Sequence, residues 1–375
     1  MHILHLHSSF NPGGKELRAA QLINAFGPGV AHSIVSAVPG ALGAASAIDD
    51  AIPVDYPDHF PSLAGKALPG RLRKLAWAMR GFDLILSYNW GAMDAVMAHM
   101  LFARPFALPP LVHHEDGFNQ DEAERLKPSR NWYRRIALSG ASALIVPSQR
   151  LETIASSAWH QPREKLHRIA NGIPLAAYGH KPAPNVLPRI IKHKGELWLG
   201  TLAGLRAVKN LPRLVRCFAP LPDHWQLVIL GEGPEREAIR AEALRLNVSH
   251  RLHMPGFAAD PAKVIGLFDL FALSSDSEQF PISVVEAMAA GLAVAAPKVG
   301  DVAAMVSPEN QPFLSAQGDE AGLAEALARL AGDSRLRRSL GKANRAHARA
   351  HYGEAAMVSR YRAVYAAALG SDQFP

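Results

Sequence analysis

Cysteine is almost missing from this chain: of 375 residues only Cys217 is one, so no intrachain disulfide can form, and a reducing compartment, the cytoplasm, is the expected setting. Long hydrophobic runs are missing too. The longest apolar stretch, Val284 to Pro297, is broken by Glu286 and falls well short of the roughly 20 residues a membrane-spanning helix needs. The start, Met1-His-Ile-Leu-His-Leu-His, reads as a strand, with no basic leader, signal-length apolar core or small-residue cleavage site, so export by that route is not expected. No Asp-x-Asp pair occurs, and the P-loop and G-x-S-x-G patterns are absent. Gly231-Glu-Gly-Pro-Glu-Arg falls short of a dinucleotide fingerprint because Arg236 stands where its third glycine belongs. A formal net charge of +7 favours anionic partners, yet no helix-turn-helix, RNP-like strand or zinc-finger spacing accompanies it, so nucleic acid is not an expected partner.

What is present is a regular alternation. Short apolar runs at Ile3–Leu6, Ser33–Val38, Leu84–Ser87, Leu111–His113 and Ala143–Val146 alternate with helical patterns, and a second series follows at Leu197–Leu202, Gln226–Leu230, Arg251–Met254, Leu270–Leu273 and Ala293–Ala295. Buried strands separated by helices predict parallel sheets covered on both faces, and two such series predict two Rossmann-like α/β domains. Between them, residues 173–195 carry Pro174, Pro182, Pro184 and Pro188 without a sustained period and read as a linker. The expected division is residues 1–172 and 173–353, with a last helix at about 354–370 packing back on the first domain. Ligands of open α/β sheets lie beyond the carboxyl ends of the strands, so substrates are expected in a cleft between two facing domains.

The richest segment is Ser274-Ser-Asp-Ser-Glu-Gln-Phe-Pro-Ile-Ser-Val-Val-Glu-Ala-Met-Ala-Ala-Gly, which puts Glu278 on a loop and Glu286 inside the following helix. A helix start favours phosphate through its unpaired N–H groups and dipole, whereas the flanking carboxylates call for hydroxyl donors. A ligand carrying both phosphate and sugar hydroxyls, a nucleotide sugar, satisfies the two demands.

Glu278 and Glu286 with seven residues between them, then Ala287-Met288-Ala289 and Gly291, resemble the signature of the retaining GT-B glycosyltransferases of family 4, the group 1 glycosyl transferases. Ile169-Ala-Asn-Gly-Ile, Ile229-Leu-Gly-Glu-Gly-Pro-Glu-Arg-Glu, Met254-Pro-Gly-Phe and Asp269-Leu-Phe-Ala-Leu-Ser-Ser extend the resemblance in family order; the N-terminal half matches more loosely. The resemblance implies a GT-B fold and metal-independent transfer, with retention, of a hexose-type sugar from a nucleotide diphosphate to an acceptor hydroxyl. No cofactor is implied, and a UDP-sugar substrate is favoured over a GDP-sugar. An epimerase of nucleotide sugars and a catalytically silent GT-B partner subunit are the alternatives.

By the same resemblance Glu286 binds the nucleotide ribose, Glu278 holds hydroxyls of the transferred sugar, and Lys209 meets the diphosphate. Gln279 stands where the family commonly has glycine; with Phe280, Pro281, Ile282 and Ser283 it forms the loop and helix start expected at sugar and phosphate. Gly256 and Phe257 lie in the segment expected near the base. The family arginine five residues before the lysine is replaced by Gly204, and Arg206 is the nearest substitute for a guanidinium fork on phosphate. Gly13 and Gly14, ahead of Glu16, resemble the first-domain loop near donor phosphate and acceptor, the plainer alternative being a turn that needs φ > 0. Val112-His-His-Glu-Asp-Gly-Phe stands where family members carry a histidine close to the reacting sugar. Anchoring on Glu115 and Gly117 puts Asp116 there, anchoring on the strand end puts His113 or His114 there, and Asp116 and His114 are taken jointly.

His5 and His7 share a strand face but lack a third ligand, so no metal is assigned. Residues 65–80, with Lys66, Arg71, Arg73, Lys74, Arg80 and Trp77, and residues 130–135, with Arg130, Trp132, Tyr133, Arg134 and Arg135, offer basic and aromatic groups to an anionic membrane surface. The plainer alternative for each is a solvated basic helix face. A glycan or lipid-linked acceptor in envelope polysaccharide or lipopolysaccharide synthesis, at the inner face of the cytoplasmic membrane, is the expected setting.

Overall fold

The computed structural model describes residues 1–118, 122 and 125–375, and the chain divides into two compact units, Met1–Asn171 with Ala355–Pro375, and Gly172–Glu354. In the first unit the elements are β1 (His2–His7), α1 (Gly14–Phe26), β2 (Ala31–Ser36), β3 (Val54–Asp55), α2 (Pro69–Ala78), β4 (Leu84–Tyr88), α3 (Met93–Phe106), β5 (Leu111–His114), α4 (Pro128–Ala137), β6 (Ala143–Val146), α5 (Gln149–Ser157) and β7 (Leu166–Arg168). They build a seven-stranded parallel sheet in the order β3-β2-β1-β4-β5-β6-β7. Alternate residues of each strand serve opposite faces. Ile3, Leu84 and Val112 meet α1 through Leu22, Ile23 and Phe26, whereas Leu4, Leu6, Ile85 and Leu111 meet Leu72, Leu75 and Val96 of α2 and α3.

The second unit holds β8 (Leu197–Leu202), α6 (Leu211–Phe218), β9 (Trp225–Leu230), α7 (Arg236–Arg245), β10 (Leu252–Gly256), β11 (Leu270–Ala272), α8 (Ile282–Ala289), β12 (Val294–Pro297), α9 (Val302–Met305), β13 (Leu314–Ser315), α10 (Glu320–Gly332) and α11 (Ser334–His351). Its six strands are parallel, in the order β10-β9-β8-β11-β12-β13. Residues 173–195 carry one 3-10 turn, Leu175–Tyr178, and no helix or strand longer than that. The last helix, α12 (Glu354–Leu369), places Met357, Tyr361, Val364 and Tyr365 in the core of the first unit beside Ile3 and Phe26.

The strands expected from apolar runs are all found, two of them over the same residues and the others with ends shifted by one or two residues. β3, β7 and β13 were not anticipated: two or three residues at or next to a sheet edge are too short to carry a period. No helix among the described residues is long and apolar enough to cross a membrane.

Segment 130–135 departs from a surface cluster. Arg134 is fully buried, forked onto Glu122 at 3.1 and 3.2 Å, 3.3 Å from Glu115, and ringed by Trp90, Phe118 and Trp159. Arg130 also pairs with Glu122, and Tyr133 donates to Asp94, which leaves Trp132 and Arg135 exposed. In α2, Leu72, Leu75 and Ala76 are buried, while Arg73, Lys74 and Trp77 face solvent with the Arg80 guanidinium 4.1 Å from the Trp77 ring.

Candidate donor site

The carboxyl ends of the second sheet are drawn together by glycines. Gly231 and Gly233 follow β9 at φ +152° and +154°, and a Cβ on either would collide with the backbone carbonyl of Ala203 or Leu205 after β8. The Leu205 N–H then donates to the Glu232 carbonyl at 2.9 Å, so the two loops run side by side. Gly256 closes β10 at φ +109°, and Phe257 beside it is 62% exposed, unusual for a large ring.

Lys209 ends the loop after β8. Asn210, in the left-handed region at φ +43°, caps α6 by accepting from the Arg213 N–H and ties its amide to Asp276. Arg213 donates to Asp276 at 2.6 Å, and the Ser274 hydroxyl donates to the Lys209 carbonyl at 2.9 Å. These bonds lace loop 207–210 to loop 274–279. Within that frame Lys209 Nζ lies 2.5 Å from Glu278 Oε1, which also accepts from the Ser275 hydroxyl at 2.7 Å.

Gln279 lends its carbonyl to the Asp301 N–H at 3.0 Å, and its side-chain Oε1 is buried without a hydrogen-bond partner. Gly300, at φ +54°, is required here, because a Cβ would stand about 2.5 Å from the Glu278 carbonyl oxygen. Phe280 packs edge-on to Tyr352, and Pro281 precedes α8 with no side chain capping the first turn, so the amides at Ile282 and Ser283 form an uncapped N-terminus. One turn further, Glu286 is buried, with Oε1 accepting from the Tyr178 hydroxyl at 3.0 Å. Burial pushes its carboxyl up to about 7 against the Tyr178 hydrogen bond, with help from the charge of Asp260.

Arg206 is exposed, and its Nε lies 3.6 Å from where a Cβ of residue 204 would be. The missing side chain at Gly204 therefore leaves room that the Arg206 guanidinium folds back to fill.

In the first unit Gly13 is extended at φ −161° and Gly14 opens α1, so neither serves a positive-φ turn. Space is the reason at Gly13, where a Cβ would stand 2.7 Å from a Glu16 carboxylate oxygen; Glu16 pairs with Lys15. Asp116 is held by both terminal nitrogens of Arg18, which also donates to Asn171 at 2.9 Å. Burial alone would raise the Asp116 carboxyl, but the charge and hydrogen bonds of Arg18, with smaller contributions from neighbouring basic groups, together hold it below the usual carboxylate range. His114 is fully enclosed, Nδ1 against the Ser87 carbonyl and Nε2 against the Tyr365 hydroxyl, and burial lowers it to about 3. No ring nitrogen of His114 is left for a reacting sugar, so its place is structural. His113 is likewise buried, Nδ1 on the Ser87 hydroxyl at 2.9 Å.

Sequence reading missed Tyr178, Ser275 and Asp276 in the second unit and Arg18 with Asn171 in the first. Asn171 lies in the Ile169-Ala-Asn-Gly-Ile segment, and Ser275 and Asp276 in the Ser274-Ser-Asp-Ser-Glu segment, without a role read for them there; Tyr178 and Arg18 have no local signal. Among the described residues no group of three or more His, Cys, Asp or Glu side chains could hold a metal ion.

Two family models divide most of the chain between them: Glycosyltransferase Family 4 matches residues 12–177, and Glycosyl transferases group 1 matches residues 188–347. The chain belongs to the family 4 GT-B glycosyltransferases. Among its relatives, the N-acetyl-alpha-D-glucosaminyl L-malate synthase of Bacillus anthracis is 24% identical over 215 residues, 57% of this chain and 56% of that one. The N-acetylgalactosamine-N,N'-diacetylbacillosaminyl-diphospho-undecaprenol 4-alpha-N-acetylgalactosaminyltransferase of Campylobacter jejuni is 30% identical over 153 residues, 40% of each chain. This family 4 chain thus spans about half the length of the curated relatives it matches. HepE of Anabaena, solved with UDP, shares the fold at a TM-score of 0.78 and 22% identity, covering 98% of this chain and 100% of its own. HepE has also been solved with UDP-glucose.

Proposed function

We propose that this chain is a retaining glycosyltransferase moving a sugar from a nucleotide-diphosphate sugar, a UDP-sugar ahead of a GDP-sugar, to a hydroxyl of a glycan or lipid-linked acceptor in cell-envelope synthesis. The observation that carries it is the convergence of Lys209, Glu278 and the uncapped start of α8 at the carboxyl end of one sheet. A diphosphate arriving there would draw Lys209 away from Glu278, and the freed carboxylate would accept from sugar hydroxyls. HepE, with the same fold, binds UDP and UDP-glucose.

In this reading the sugar–diphosphate bond breaks through an oxocarbenium-like state, and catalysis consists of stabilising the departing diphosphate while water is excluded. Lys209, Arg206 and the α8 amides would meet that charge. Asp116, fixed by Arg18, is the first-domain candidate for the reacting sugar. Trp77, Arg73 and Lys74 on α2, Arg80 just beyond it, and Trp132 and Arg135 support attachment to an anionic membrane surface, which co-sedimentation with anionic vesicles would measure.

The deciding experiment is thermal-shift binding of UDP, GDP, ADP and their sugar conjugates to wild type and Glu286→Ala, since a ligand of the native state raises its melting temperature. A shift with one nucleotide, lost in the variant, is expected. No shift with any of them would remove the donor and favour the silent-subunit alternative. The anomeric configuration of the product, read by NMR, tests retention.

A further inference from the structure

Glu286 is not an open surface acid. Its carboxylate reaches Tyr178, 108 residues earlier in the chain, through a hydroxyl that donates to Oε1 at 3.0 Å. Both side chains are buried, Tyr178 at 5% exposure and Glu286 at 9%. Tyr178 ends the 3-10 turn Leu175–Tyr178, and its carbonyl accepts from Arg345 of α11 at 3.3 Å. That helix is pressed against the loop after α8: a Cβ on Gly341 would overlap the Gly291 carbonyl oxygen. The turn, α11 and α8 therefore hold one another, with the phenol buried against the acid.

A carboxylate in this position has two acceptor oxygens, and Tyr178 engages one. Oε2 has no protein hydrogen-bond partner among the described residues. Left without the phenol, a glutamate on a helix would turn through several rotamers and bind either oxygen to whatever donor arrived. Fixed at Oε1, it presents a single oxygen in a single orientation.

We propose that Tyr178 is the positioning residue of the donor site: its hydroxyl clamps Oε1 of Glu286 so that Oε2 is the oxygen offered to a hydroxyl of a bound nucleoside diphosphate. This rests on the donor reading above. Preorganising an acceptor before the ligand arrives lowers the ordering cost of binding. The phenol has a second consequence, because a donated hydrogen bond favours the ionised carboxyl, the form that can only accept. Burial and the charge of Asp260 work in the opposite direction. Asp260 is exposed and paired with Lys263 at 3.2 Å, and Arg345 faces the Tyr178 carbonyl, so among the described residues Tyr178 is the one side chain that donates to the acid.

The test is calorimetric titration of the full chain with UDP, GDP and ADP across about pH 5.5 to 8.5, using wild type, Tyr178→Phe, Glu286→Gln and the double variant. Tyr178→Phe should weaken the nucleotide that wild type prefers by roughly tenfold near neutrality. It should also move the midpoint of the pH profile upward, because the acid has lost the donor that favoured its charge. In the Glu286→Gln background the same tyrosine change should have no further effect. Equal affinity and an unmoved midpoint in Tyr178→Phe would overturn the assignment while leaving the donor site standing. An undiminished loss in the Glu286→Gln background would do the same, since Tyr178 would then be acting without Glu286. Wild type that binds none of the three would sink the donor reading and this assignment together. Should Tyr178→Phe not fold, Glu286→Asp with Tyr178 intact withdraws the carboxylate by one methylene and must weaken binding comparably; full affinity there would likewise count against the clamp.

Discussion

Lys209 Nζ and Glu278 Oε1 stand 2.5 Å apart, and Ser275 adds its hydroxyl to the same oxygen. A cation suited to a diphosphate and a carboxylate suited to sugar hydroxyls neutralise each other, which keeps two partly buried charges satisfied. Lys209→Ala leaves Glu278 with Ser275 alone, and should cost about 1–3 kcal/mol of stability. Sugar transfer should fall on the order of a hundredfold, as when one charge-stabilising donor is removed elsewhere. EDTA should leave wild-type turnover unchanged if, as proposed, side chains supply the positive charge. Turnover assays with and without chelator check all but the first, which a denaturant titration measures.

Glu286 predicts a pH-dependent stability. Its carboxyl is raised from 4.5 to about 7 in the fold, so between those values the native state holds a proton that the unfolded chain has released. Stability therefore falls as pH rises from 4.5 through about 7, by at most about 3.5 kcal/mol at 1.4 kcal/mol per unit. Glu286→Gln should be more stable than wild type at pH 8, by more than at pH 5. A difference that does not grow with pH would be inconsistent with a raised carboxyl.

Imidazoles in the first unit predict the opposite slope on the acid side. His5, His7, His32 and His114 are lowered, chiefly by burial, with His32 at about 4 and His114 at about 3. The unfolded chain takes up these protons first, so stability is lost as pH drops below 6.5 toward the folded values. His5 Nε2 and His32 Nδ1 share a hydrogen bond at 2.9 Å, and His32→Asn should flatten this acid slope by about 1.4 kcal/mol per pH unit. Urea midpoints at a series of pH values would show it.

Gly204 and Arg206 form a pair that substitution can exchange. Arg206→Ala should weaken nucleoside diphosphate binding by roughly tenfold, the loss of one charge-assisted phosphate contact. Gly204→Arg in that background should recover most of it. A neutral Arg206→Ala would leave the guanidinium folded over Gly204 as surface charge.

Arg134 predicts a fold defect rather than a surface effect. Arg134→Leu leaves buried Glu115 without its arginine and buried Glu122 with Arg130 alone as its cation, at a cost of about 3–5 kcal/mol. The melting temperature should drop by roughly 10 °C. Arg135→Leu, one residue on and exposed, should move it little.

Much of the framework was legible in the residues. Runs such as Leu197–Leu202 and Ala143–Val146 became strands over those very residues, because a central parallel strand is buried on both faces and must be apolar throughout. The loop at Glu278 and the helix through Glu286 followed from the same local logic, with Pro281 at the boundary. β7, with His167 and Arg168 in a three-residue edge strand, was not legible, since its pairing with β6 is what defines it.

The sequence by itself determined two series of strands and helices, the loop-to-helix segment carrying both glutamates, the glycines at the strand ends and the absence of disulfides. Only the tertiary structure decided that Lys209 meets Glu278, that Tyr178 holds Glu286 from 108 residues away, that Arg134 turns inward to two carboxylates, and that both nitrogens of His114 are taken. Periodicity records which face of an element avoids water, a property of neighbours along the chain. Which polar groups become partners depends on packing between distant segments, where burial leaves a charge or hydroxyl no alternative but the donor or acceptor the fold has placed beside it.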